Sequence, residues 1–599
     1  MFQSFEVTAR PEQGPPRLAA LRAELGKAGL DGFLVPRADA HQGEYVSARD
    51  ERLAWLTGFT GSAGFCAVLK DEAGVFIDGR YRTQVKSQVA AEFTPVPWPE
   101  TGLADWLKVA LPKGGTVGFD PWLHTADQLE ALRKALADTG ITLRASKNLV
   151  DAIWPDQPAP AMEPAKAHPL DFAGESHASK RARLGTALSK AGSDHAIITL
   201  PDSLCWLLNL RGADIPRNPI AQGFAILHSS GAVDLFMSPE KLAGLSGHLG
   251  PEITINAPDT FLAAIQALDG PVLLDKSSVP VVVAEAVQSP VWGEDPCAIP
   301  KACKNAAEIA GSAEAHLRDG AAMVEMLSWL DAQPSGSLSE TQVVTQLEQY
   351  RRRDNALQDI SFETIAGTGP NGAIMHYRVT EETDRRLEDG DLLVLDSGGQ
   401  YLDGTTDITR TIAIGAPSAE AQAAYTRVLA GMIAMSRLRW PEGLAGRDIE
   451  AIGRAPLWMA HQDFDHGLGH GVGAYLSVHE GPQRLSRKSE VPLQAGMILS
   501  NEPGYYREGA FGIRIENLMV AQEAAVVTGG DAHRKMLCWR TLTFVPIDKR
   551  LINPALLDRA AQDWLDAYHA EVFDKIAPRV SEAARAWLER ASAPLCRET

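Results

Sequence analysis

Five side chains in the second half of the chain are of the types that bind hard divalent metal ions. They are Asp396 in VLDSGG, Asp407 in GTTDITR, His470 in HGLGHGVG, Glu502 in SNEPGYY and Glu516 in GIRIEN. Four carboxylates and one imidazole suit Mn²⁺, with Zn²⁺ or Co²⁺ as competitors. One ion would not need so many anionic groups, whereas two ions about 3.5–4 Å apart need bridging carboxylates to offset their repulsion. The set therefore predicts a two-metal hydrolase centre.

The sequence around the two aspartates predicts a hairpin. Residues 391–395 form a short apolar run, SGGQYLDG is rich in turn residues, and residues 405–414 have the pattern of a returning strand. Such a hairpin sets Asp396 and Asp407 across from each other. Buried carboxylates that face each other repel unless they are protonated or bound to metal. Without the other candidates, a pair of aspartates with this spacing would be more typical of a solvated turn.

The sequence around His470 does not have the pattern of a helix. Four glycines in residues 465–473 predict a backbone that either adopts positive φ or lies very close to neighbouring groups. His466 and His470 have the HxxxH spacing of zinc proteases, but the glutamate after the first histidine and the helix are both missing. We therefore interpret His470 as a ligand and His466 as its neighbour; the alternative is a mobile loop.

The two glutamates lie in strand-like segments. Glu502 follows the apolar run at 497–501 and precedes a Pro-Gly turn signal, which predicts a position at a strand end. Around Glu516, period-two alternation puts Arg514 and Glu516 on one face and the two flanking isoleucines on the other. An arginine beside a metal-bound carboxylate can orient it and also bind substrate. For an isolated strand, an exposed Arg–Glu face would be the simpler interpretation.

Three more histidines stand in motif-like settings: His376 in GAIMHYRV, His466, and His479 in SVHEGP. Hydrolysis of an amide requires stabilisation of an oxyanion and protonation of the amine leaving group, and histidine can donate in both tasks. A lone histidine is more often structural. Three near one candidate site favour a catalytic or substrate-binding role.

Composition excludes some classes of function. The chain has 599 residues, 45% hydrophobic and 22% charged, with a net charge of −19. This charge disfavours nucleic acid or an anionic membrane as a partner. With neither a signal-like start nor an 18-residue apolar run, the sequence predicts a cytoplasmic protein without a membrane span. Six scattered cysteines are predicted to be reduced thiols: Cys66, Cys205, Cys297, Cys303, Cys538 and Cys596.

A proline-rich segment and a helix-start signal divide the chain into regions 1–153, 154–304 and 305–599. Residues 154–169 carry five prolines and are typical of an extended linker. Asn305 and Glu308 have the spacing of a capping box that opens a long amphipathic helix, with Leu317, Met323, Leu327 and Leu330 on its apolar side. The first two regions resemble each other as helix, turn and strand at 17–39 and 181–203, each followed by a Trp-containing apolar segment, which indicates two α/β domains of common ancestry.

Six motifs give residues 305–545 a resemblance to the pita-bread metallopeptidases. They are KNAAEIAGSAEAHLRDG, TIAGTGPNGAIMHY, LDSGGQYLDGTTDITRT, HGLGHGVGAYLSVHEGP, ILSNEPGYY and FGIRIENL. Within that fold the chain resembles the long, three-domain, cytosolic-type Xaa-Pro aminopeptidases (aminopeptidase P). LTGFTGSAG and IDGRYRTQ resemble the N-terminal domain of that family, and TLTFVPIDKRLI with the helical tail resembles its C-terminal extension, whereas residues 205–300 match loosely.

The resemblance implies an α/β (α+β) fold with two related creatinase-like N-terminal α/β domains, at 1–153 and 154–304. A pita-bread catalytic domain at 305–545 and a helical C-terminal extension at 546–599 would follow. In the extension, Asn553-Pro554 is a good helix start. Apolar residues recur at helical spacing, at Leu557, Ala560, Trp564, Tyr568 and Val572, and most of them are expected to face a core.

The resemblance also implies a role for each candidate residue. Asp396 would hold one of two divalent ions, most readily Mn²⁺, Asp407 and Glu516 would bridge, and His470 and Glu502 would complete the second site. A metal-activated hydroxide would attack the carbonyl before proline, and Glu502 would relay its proton. His376 and His479 would contact the peptide and stabilise the tetrahedral intermediate, Arg514 would help to wall the proline pocket, and His466 would lie on the substrate side.

The implied activity is release of the N-terminal residue from peptides with proline in second position, by a cytoplasmic homodimer. Two alternatives remain open at this point. The first is an Xaa-Pro dipeptidase (prolidase) of the same fold, which the duplicated N-terminal half and the C-terminal tail disfavour. The second is a non-catalytic pita-bread module that binds peptide or protein, which the presence of all five ligands disfavours.

Overall fold

The computed structural model describes residues 1–531 and 533–595 and divides into two compact units. The N-terminal unit comprises Val7–Leu170 and Glu175–Ala298, and the C-terminal unit comprises Met1–Glu6, Asp171–Gly174 and Ile299–Thr599. The N-terminal unit contains nearly all of the first two predicted domains. Cys596 lies outside the described residues, and the other five cysteines are free thiols, as predicted.

The N-terminal unit contains two six-stranded sheets. The first has the spatial order Thr94–Pro97, Ala73–Ile77, Phe65–Leu69, Gly32–Pro36, Gly115–Phe119 and Ile141–Ala145. The second has the order Ile253–Asn256, Val233–Phe236, Phe224–His228, His195–Ile198, Val272–Leu274 and Pro290–Trp292. In both sheets the second, third and fourth strands pair antiparallel and the outer pairs are parallel. The shared topology agrees with the prediction of two related α/β domains.

Both sheets begin with the predicted helix, turn and strand. Helix Gly14–Ala28 ends at Gly29, whose φ of 62° is the left-handed conformation that glycine accommodates. Helix His177–Lys190 is followed by Gly192, with φ of 75°. The two Trp-containing segments form helices Arg52–Thr57 and Pro201–Leu208. The other α-helices of this unit are Val85–Gln88, Leu103–Ala110, Ala126–Ala135, Ser246–Leu249, Phe261–Gln266 and Val281–Ala286. Strands Lys166–Ala167 and Leu210–Arg211 form a small separate sheet.

The C-terminal unit opens with the predicted capped helix, Ala306–Asp331. The Asn305 side chain accepts from the backbone of Ala307 and Glu308, and Glu308 bonds back to the Asn305 backbone, so the capping box is present. The other α-helices are Leu170–Ala173, Ala298–Ala302, Glu340–Arg351, Ala419–Ser436, Gly446–Trp458, Arg559–Ile576 and Glu582–Ala591.

Four sheets complete this unit. The largest has the order Arg439–Pro441, Met536–Thr541, Asn517–Glu523, Ile498–Asn501, Gly469–Gly471 and Glu480–Leu485. Two three-stranded sheets contain Ile365–Thr368, Leu392–Ser397 and Ile408–Ala413, and Leu357–Ile360, Gly399–Tyr401 and Gly404–Thr405. Gly504–Arg507 pairs with Phe511–Arg514. Leu393 and Leu395 share one buried cluster with Met323, Leu327 and Leu330 of helix Ala306–Asp331.

The C-terminal extension corrects one prediction. Asn553-Pro554 opens only a short 3₁₀ turn, Pro554–Leu556, and the α-helix begins at Arg559 with Asp558 as its N-cap. The aspartate carboxylate accepts the Ala561 N–H, which is the stronger start signal. Most of the predicted stripe nevertheless faces a core, as expected: Leu557, Tyr568 and Val572 are buried, Trp564 packs against the same cluster, and Ala560 is exposed. The other buried residues of the helix are Ala561, Leu565, His569 and Ile576.

Among the described helices, none combines the length and the apolar character needed to cross a bilayer.

Candidate metal centre

The predicted hairpin forms, but its register differs from the prediction. Strands Leu392–Ser397 and Ile408–Ala413 pair antiparallel, and Asp396 faces Thr409 rather than Asp407. The intervening segment folds into two short strands of another sheet, so Asp407 lies just before the returning strand. Both carboxylates are nevertheless buried at the same end of the hairpin, with residue exposures of 8% and 3%. Turn composition alone could not reveal the extra strands.

His470 lies in a short strand, Gly469–Gly471, which agrees with the prediction that this segment is not helical. The four glycines of residues 465–473 are all described, and none of them has positive φ. They provide close approach instead. A Cβ at Gly469 would overlap the carbonyl oxygen of Ser500, and one at Gly471 would overlap that of Glu480. Glycine therefore lets the His470 strand lie against the strand that leads to Glu502.

Hydrogen bonding fixes the tautomer of His470. Its Nδ1 lies 2.9 Å from the carbonyl oxygen of Gly471, which can only accept, so Nδ1 carries the proton. The unprotonated Nε2 lies 3.5 Å from an oxygen of Asp407 and 3.5 Å from Glu502 Oε1. Asp407, His470 and Glu516 each offer a ligand atom, and these atoms lie within 4.8 Å of one another. A backbone carbonyl thus orients the ring as in many metal-bound histidines.

Glu502 lies where the sequence predicts, directly after strand Ile498–Asn501. Its backbone N–H donates to the Leu468 carbonyl at 2.8 Å, which ties it to the glycine-rich segment. The Ser500 hydroxyl donates to Glu502 Oε1 at 3.2 Å and accepts from the His470 backbone N–H at 2.9 Å. Ser500 therefore couples the positions of two candidate ligands.

Glu516 and Arg514 share the buried face that alternation predicts. The strand itself is interrupted, because Phe511–Arg514 and Asn517–Glu523 belong to different sheets. Arg514 Nη2 donates to Asp396 Oδ2 at 2.7 Å, and the two isoleucines that flank Arg514 lie in the core. Arg514 thus contacts Asp396 directly, as the orienting role predicted for it requires.

Two further residues were not identified from the sequence. Thr409 donates to Glu516 Oε2 at 2.9 Å, and Arg514 Nε lies 3.3 Å from the same hydroxyl. The Tyr506 hydroxyl accepts from Arg514 Nη1 at 2.5 Å and lies 2.9 Å from His466 Nε2. A threonine and a tyrosine in strands look like ordinary core residues, and only their pairing across strands reveals these contacts.

His466 is a neighbour of the centre, as interpreted from the sequence. Its Nδ1–H donates to the Gly467 carbonyl at 2.8 Å, so its Nε2 accepts from the Tyr506 hydroxyl at 2.9 Å. The His479 ring packs edge-on against His470, with centroids 4.4 Å apart. His376 follows the turn Gly369–Ala373, and a Cβ at Gly512 would overlap the Gly372 carbonyl, so this turn touches the Arg514 strand.

The donor set has the properties of a cation site. Within the described residues, no donor reaches Asp396 Oδ1, Asp407 Oδ1 or Glu516 Oε1, although all three atoms are buried. Burial, followed by the charges of Asp396 and Glu502, raises the pKa of Asp407 well above its usual range, and burial with Asp407 does the same to the pKa of Glu516. Buried carboxylate oxygens without donors are unfavourable unless a cation binds them. The residues present therefore fit divalent metal.

Comparison with known families agrees with this chemistry. Residues 310–523 match "Metallopeptidase family M24", and residues 535–595 match the C-terminal region of peptidase M24. Residues 17–153 and 156–308 each match a "Creatinase/Prolidase N-terminal domain".

Individual relatives match over nearly the whole chain. Aminopeptidase P2 of Arabidopsis thaliana is 36% identical over 95% of this chain and 86% of its own length. A protein named "Probable Xaa-Pro aminopeptidase P" from Aspergillus fumigatus is 36% identical over 97% of this chain and 92% of its own. The crystal structure of X-prolyl aminopeptidase from Caenorhabditis elegans, described as a cytosolic enzyme with a di-nuclear active site, superposes with a TM-score of 0.93. It is 31% identical and covers 97% of this chain and 99% of that one.

Proposed function

Because this chain belongs to the Xaa-Pro aminopeptidases of metallopeptidase family M24, we propose that it releases the first residue of peptides whose second residue is proline. The observation that carries the proposal is that ligand atoms of Asp407, His470 and Glu516 lie within 4.8 Å of one another, with Glu502 3.5 Å from His470, in a chain that matches such enzymes over nearly its whole length. The fold has two creatinase-like N-terminal domains and a pita-bread catalytic domain. The boundaries 1–153, 154–304, 305–545 and 546–599 are part of the proposal.

The centre would hold two divalent ions, and Mn²⁺ fits the oxygen-rich set best. Asp396 would hold one ion, Asp407 and Glu516 would be shared by both, and His470 and Glu502 would complete the second site. Three buried oxygens that no donor of the described residues reaches, on Asp396, Asp407 and Glu516, support this assignment. When bound, such ions polarise the scissile carbonyl and make a water molecule acidic enough to attack it.

The chain's own residues move protons and bind the peptide. Glu502 takes up the proton released by the nucleophile, since Ser500 occupies only one of its carboxylate oxygens. His479, whose ring packs on His470, and His376 donate to the oxyanion of the tetrahedral intermediate. Arg514 orients Asp396 and helps to wall the proline pocket. His466, which shares the Tyr506 hydroxyl with Arg514, lies on the substrate side.

Selection of proline has a physical reason. A peptide bond to proline has no N–H and fixes the following φ, so an aminopeptidase that needs that donor or that flexibility fails on it. A pocket shaped to the ring gains binding energy instead. The proposed setting is the cytoplasm, and the proposed assembly is a homodimer formed with the C-terminal extension.

The test uses the full-length protein, stripped with a chelator and then reloaded with Mn²⁺. We expect hydrolysis of an Xaa-Pro-Yaa peptide only after reloading, and no hydrolysis of an Xaa-Ala-Yaa peptide. Faster turnover of an Xaa-Pro dipeptide than of the longer peptide would indicate a prolidase instead. Peptide binding without turnover in metal-loaded protein would indicate a non-catalytic module.

The role of Glu502 has its own test. Glu502→Gln is expected to abolish hydrolysis while the fold is retained, because the amide cannot take up the proton. Metal content and circular dichroism are measured on the same sample. Unchanged turnover in metal-loaded variant protein contradicts the mechanism.

A further inference from the structure

One buried carboxylate of the C-terminal unit, outside the metal centre, holds a segment that reaches the centre. Glu340 is the first residue of helix Glu340–Arg351, and it is completely buried. Its Oε1 accepts from the Thr368 N–H at 2.7 Å and from Asn371 Nδ2 at 3.0 Å. Its Oε2 accepts from the Tyr377 hydroxyl at 2.8 Å and from the Arg385 N–H at 3.1 Å. One carboxylate therefore binds four points of a single segment, residues 368–385.

That segment carries His376. Asn371 and Tyr377, which both bond to Glu340, lie on either side of the histidine in sequence. The turn between them touches the metal centre's own strands. A Cβ at Gly372 would lie 3.4 Å from Val394, in the Asp396 strand, and Gly372 closely approaches Gly512, in the Arg514 strand. The segment thus lies between the Glu340 carboxylate and the strands that carry two site residues.

We propose that Glu340 is a positioning residue that holds the His376 segment in its catalytic arrangement. The proposal rests on the function proposed for His376. Glu340 itself touches no candidate ligand among its hydrogen-bond partners, so its effect on catalysis passes through the segment. Two side-chain donors and two backbone donors converge on this carboxylate, which as an ion has enough lone pairs to serve all four. The two side-chain donors, Asn371 and Tyr377, also lie 3.1 and 3.0 Å from the Thr383 carbonyl oxygen.

The charged surroundings of Glu340 are mixed. Arg385 pairs with Asp391 at 3.0 Å, and Asp384 accepts from the Thr341 N–H at 3.0 Å. Burial raises the pKa of Glu340 to about 7, although its four donors oppose that shift. Its place in the first turn of a helix also favours the ionised form. The carboxylate therefore stays ionised at mildly alkaline pH, the range in which the test is carried out.

The variant Glu340→Gln tests this proposal. The amide keeps the shape but has one acceptor oxygen, so its NH₂ group must face the Arg385 N–H or the Thr368 N–H. We expect kcat to fall about 10- to 100-fold, the range for a buried donor left without a partner. Metal content should be unchanged, and hydrogen exchange should rise in residues 368–378. Unchanged exchange in that segment overturns the proposal.

Glu348→Gln is the matched control. Glu348 lies on the same helix, its side chain is only 3% exposed, and its carboxylate accepts from the Phe2 N–H at 2.8 and 3.0 Å. The substitution is the same, but its partners Phe2, the Met1 amino group and Arg352 lie outside residues 368–385. We expect kcat within about twofold of the unsubstituted protein, as for sites away from the chemistry. An equal loss in both variants would mean a general effect on the helix and would overturn the proposal.

A double-mutant cycle with His376→Ala separates positioning from stability. If Glu340 acts through His376, Glu340→Gln should have little further effect on kcat once the histidine is removed. If the fold-losses in kcat of the two single variants multiply in the double variant, the result contradicts the proposal. Full turnover in His376→Ala would remove the role of that histidine and this proposal with it. Metal-dependent Xaa-Pro hydrolysis is scored separately, on the unsubstituted protein, so the two failures remain distinguishable.

Discussion

Asp407 and Glu516 of the metal centre and Glu340 of the second cluster are all buried carboxylates whose pKa values are raised, yet their oxygens have opposite surroundings. In the metal centre, one oxygen each of Asp396, Asp407 and Glu516 has no donor within the described residues. In the Glu340 cluster, both oxygens accept from protein donors. Burial and pKa alone therefore do not distinguish a ligand from a structural carboxylate. The partners of each oxygen do.

The difference follows from the chemistry of each task. A carboxylate that binds metal must keep lone pairs directed at the cation, so the protein supplies donors to only part of it, as Thr409 does for Glu516 and Arg514 for Asp396. A carboxylate that holds a loop uses all of its lone pairs on the loop. Substitutions that remove either arrangement should therefore have different signatures.

The largest effect is expected from Glu516→Gln. Loss of a bridging carboxylate should remove bound metal and lower kcat/KM by more than the roughly 10- to 100-fold that follows loss of a ligand's supporting partner. Metal content after gel filtration and turnover are measured together. Glu340→Gln should keep its metal. If the Glu516→Gln variant retains two ions, Glu516 does not differ from Glu340 as a metal ligand.

Removal of metal should destabilise the C-terminal unit, because ligand binding to the folded state adds stability, about 4 kcal/mol at 1,000 times the dissociation constant. The pKa values of Asp407 and Glu516 are raised by folding, so the metal-free protein should lose stability as pH rises through those values. The stabilisation by added Mn²⁺ should increase as pH rises, because fewer protons then compete with the metal for the carboxylates. Thermal unfolding of stripped and reloaded protein at several pH values measures this. Equal protection at low and high pH would contradict it.

A smaller effect is expected from Arg514→Met, which removes the donor to Asp396 Oδ2. Loss of such a supporting partner typically weakens metal affinity about 10- to 100-fold. A competition titration with a metal-binding dye measures the affinity. Glu348→Gln, which lies outside the centre, should leave it unchanged. Unaltered affinity in Arg514→Met would mean that Asp396 needs no orientation.

The smallest effect is expected from Thr409→Val. This substitution removes the hydroxyl that donates to Glu516 Oε2 at 2.9 Å and leaves the shape of the side chain nearly unchanged. A hydrogen bond to a charged group contributes about 1.5 kcal/mol at the lower end of its range, and a neutral donor is expected at that end, so metal affinity should fall by about tenfold. Thr409→Ser should restore it. Failure of serine to rescue would show that the methyl group, and not the hydroxyl, matters.

Much of the centre could be predicted because its signals are local. The Asn305 capping box, the strand end before Glu502 and the non-helical segment around His470 depend on neighbours within a few residues, and all three are present. The pairing of Asp396 with Thr409 was missed because the intervening residues join another sheet. The start of helix Arg559–Ile576 was missed because two capping signals compete within six residues.

The sequence by itself determined the types of ligand, their order along the chain and the family, since these depend on residue identity and spacing. The tertiary structure alone decided which oxygens are left without donors, which nitrogen of His470 is free, and that Tyr506 and Thr409 join the network. These properties depend on strands distant in sequence, and hydrogen bonds over a few ångströms cannot be read from spacing along the chain. The same limit hid Glu340, whose four partners span residues 368–385.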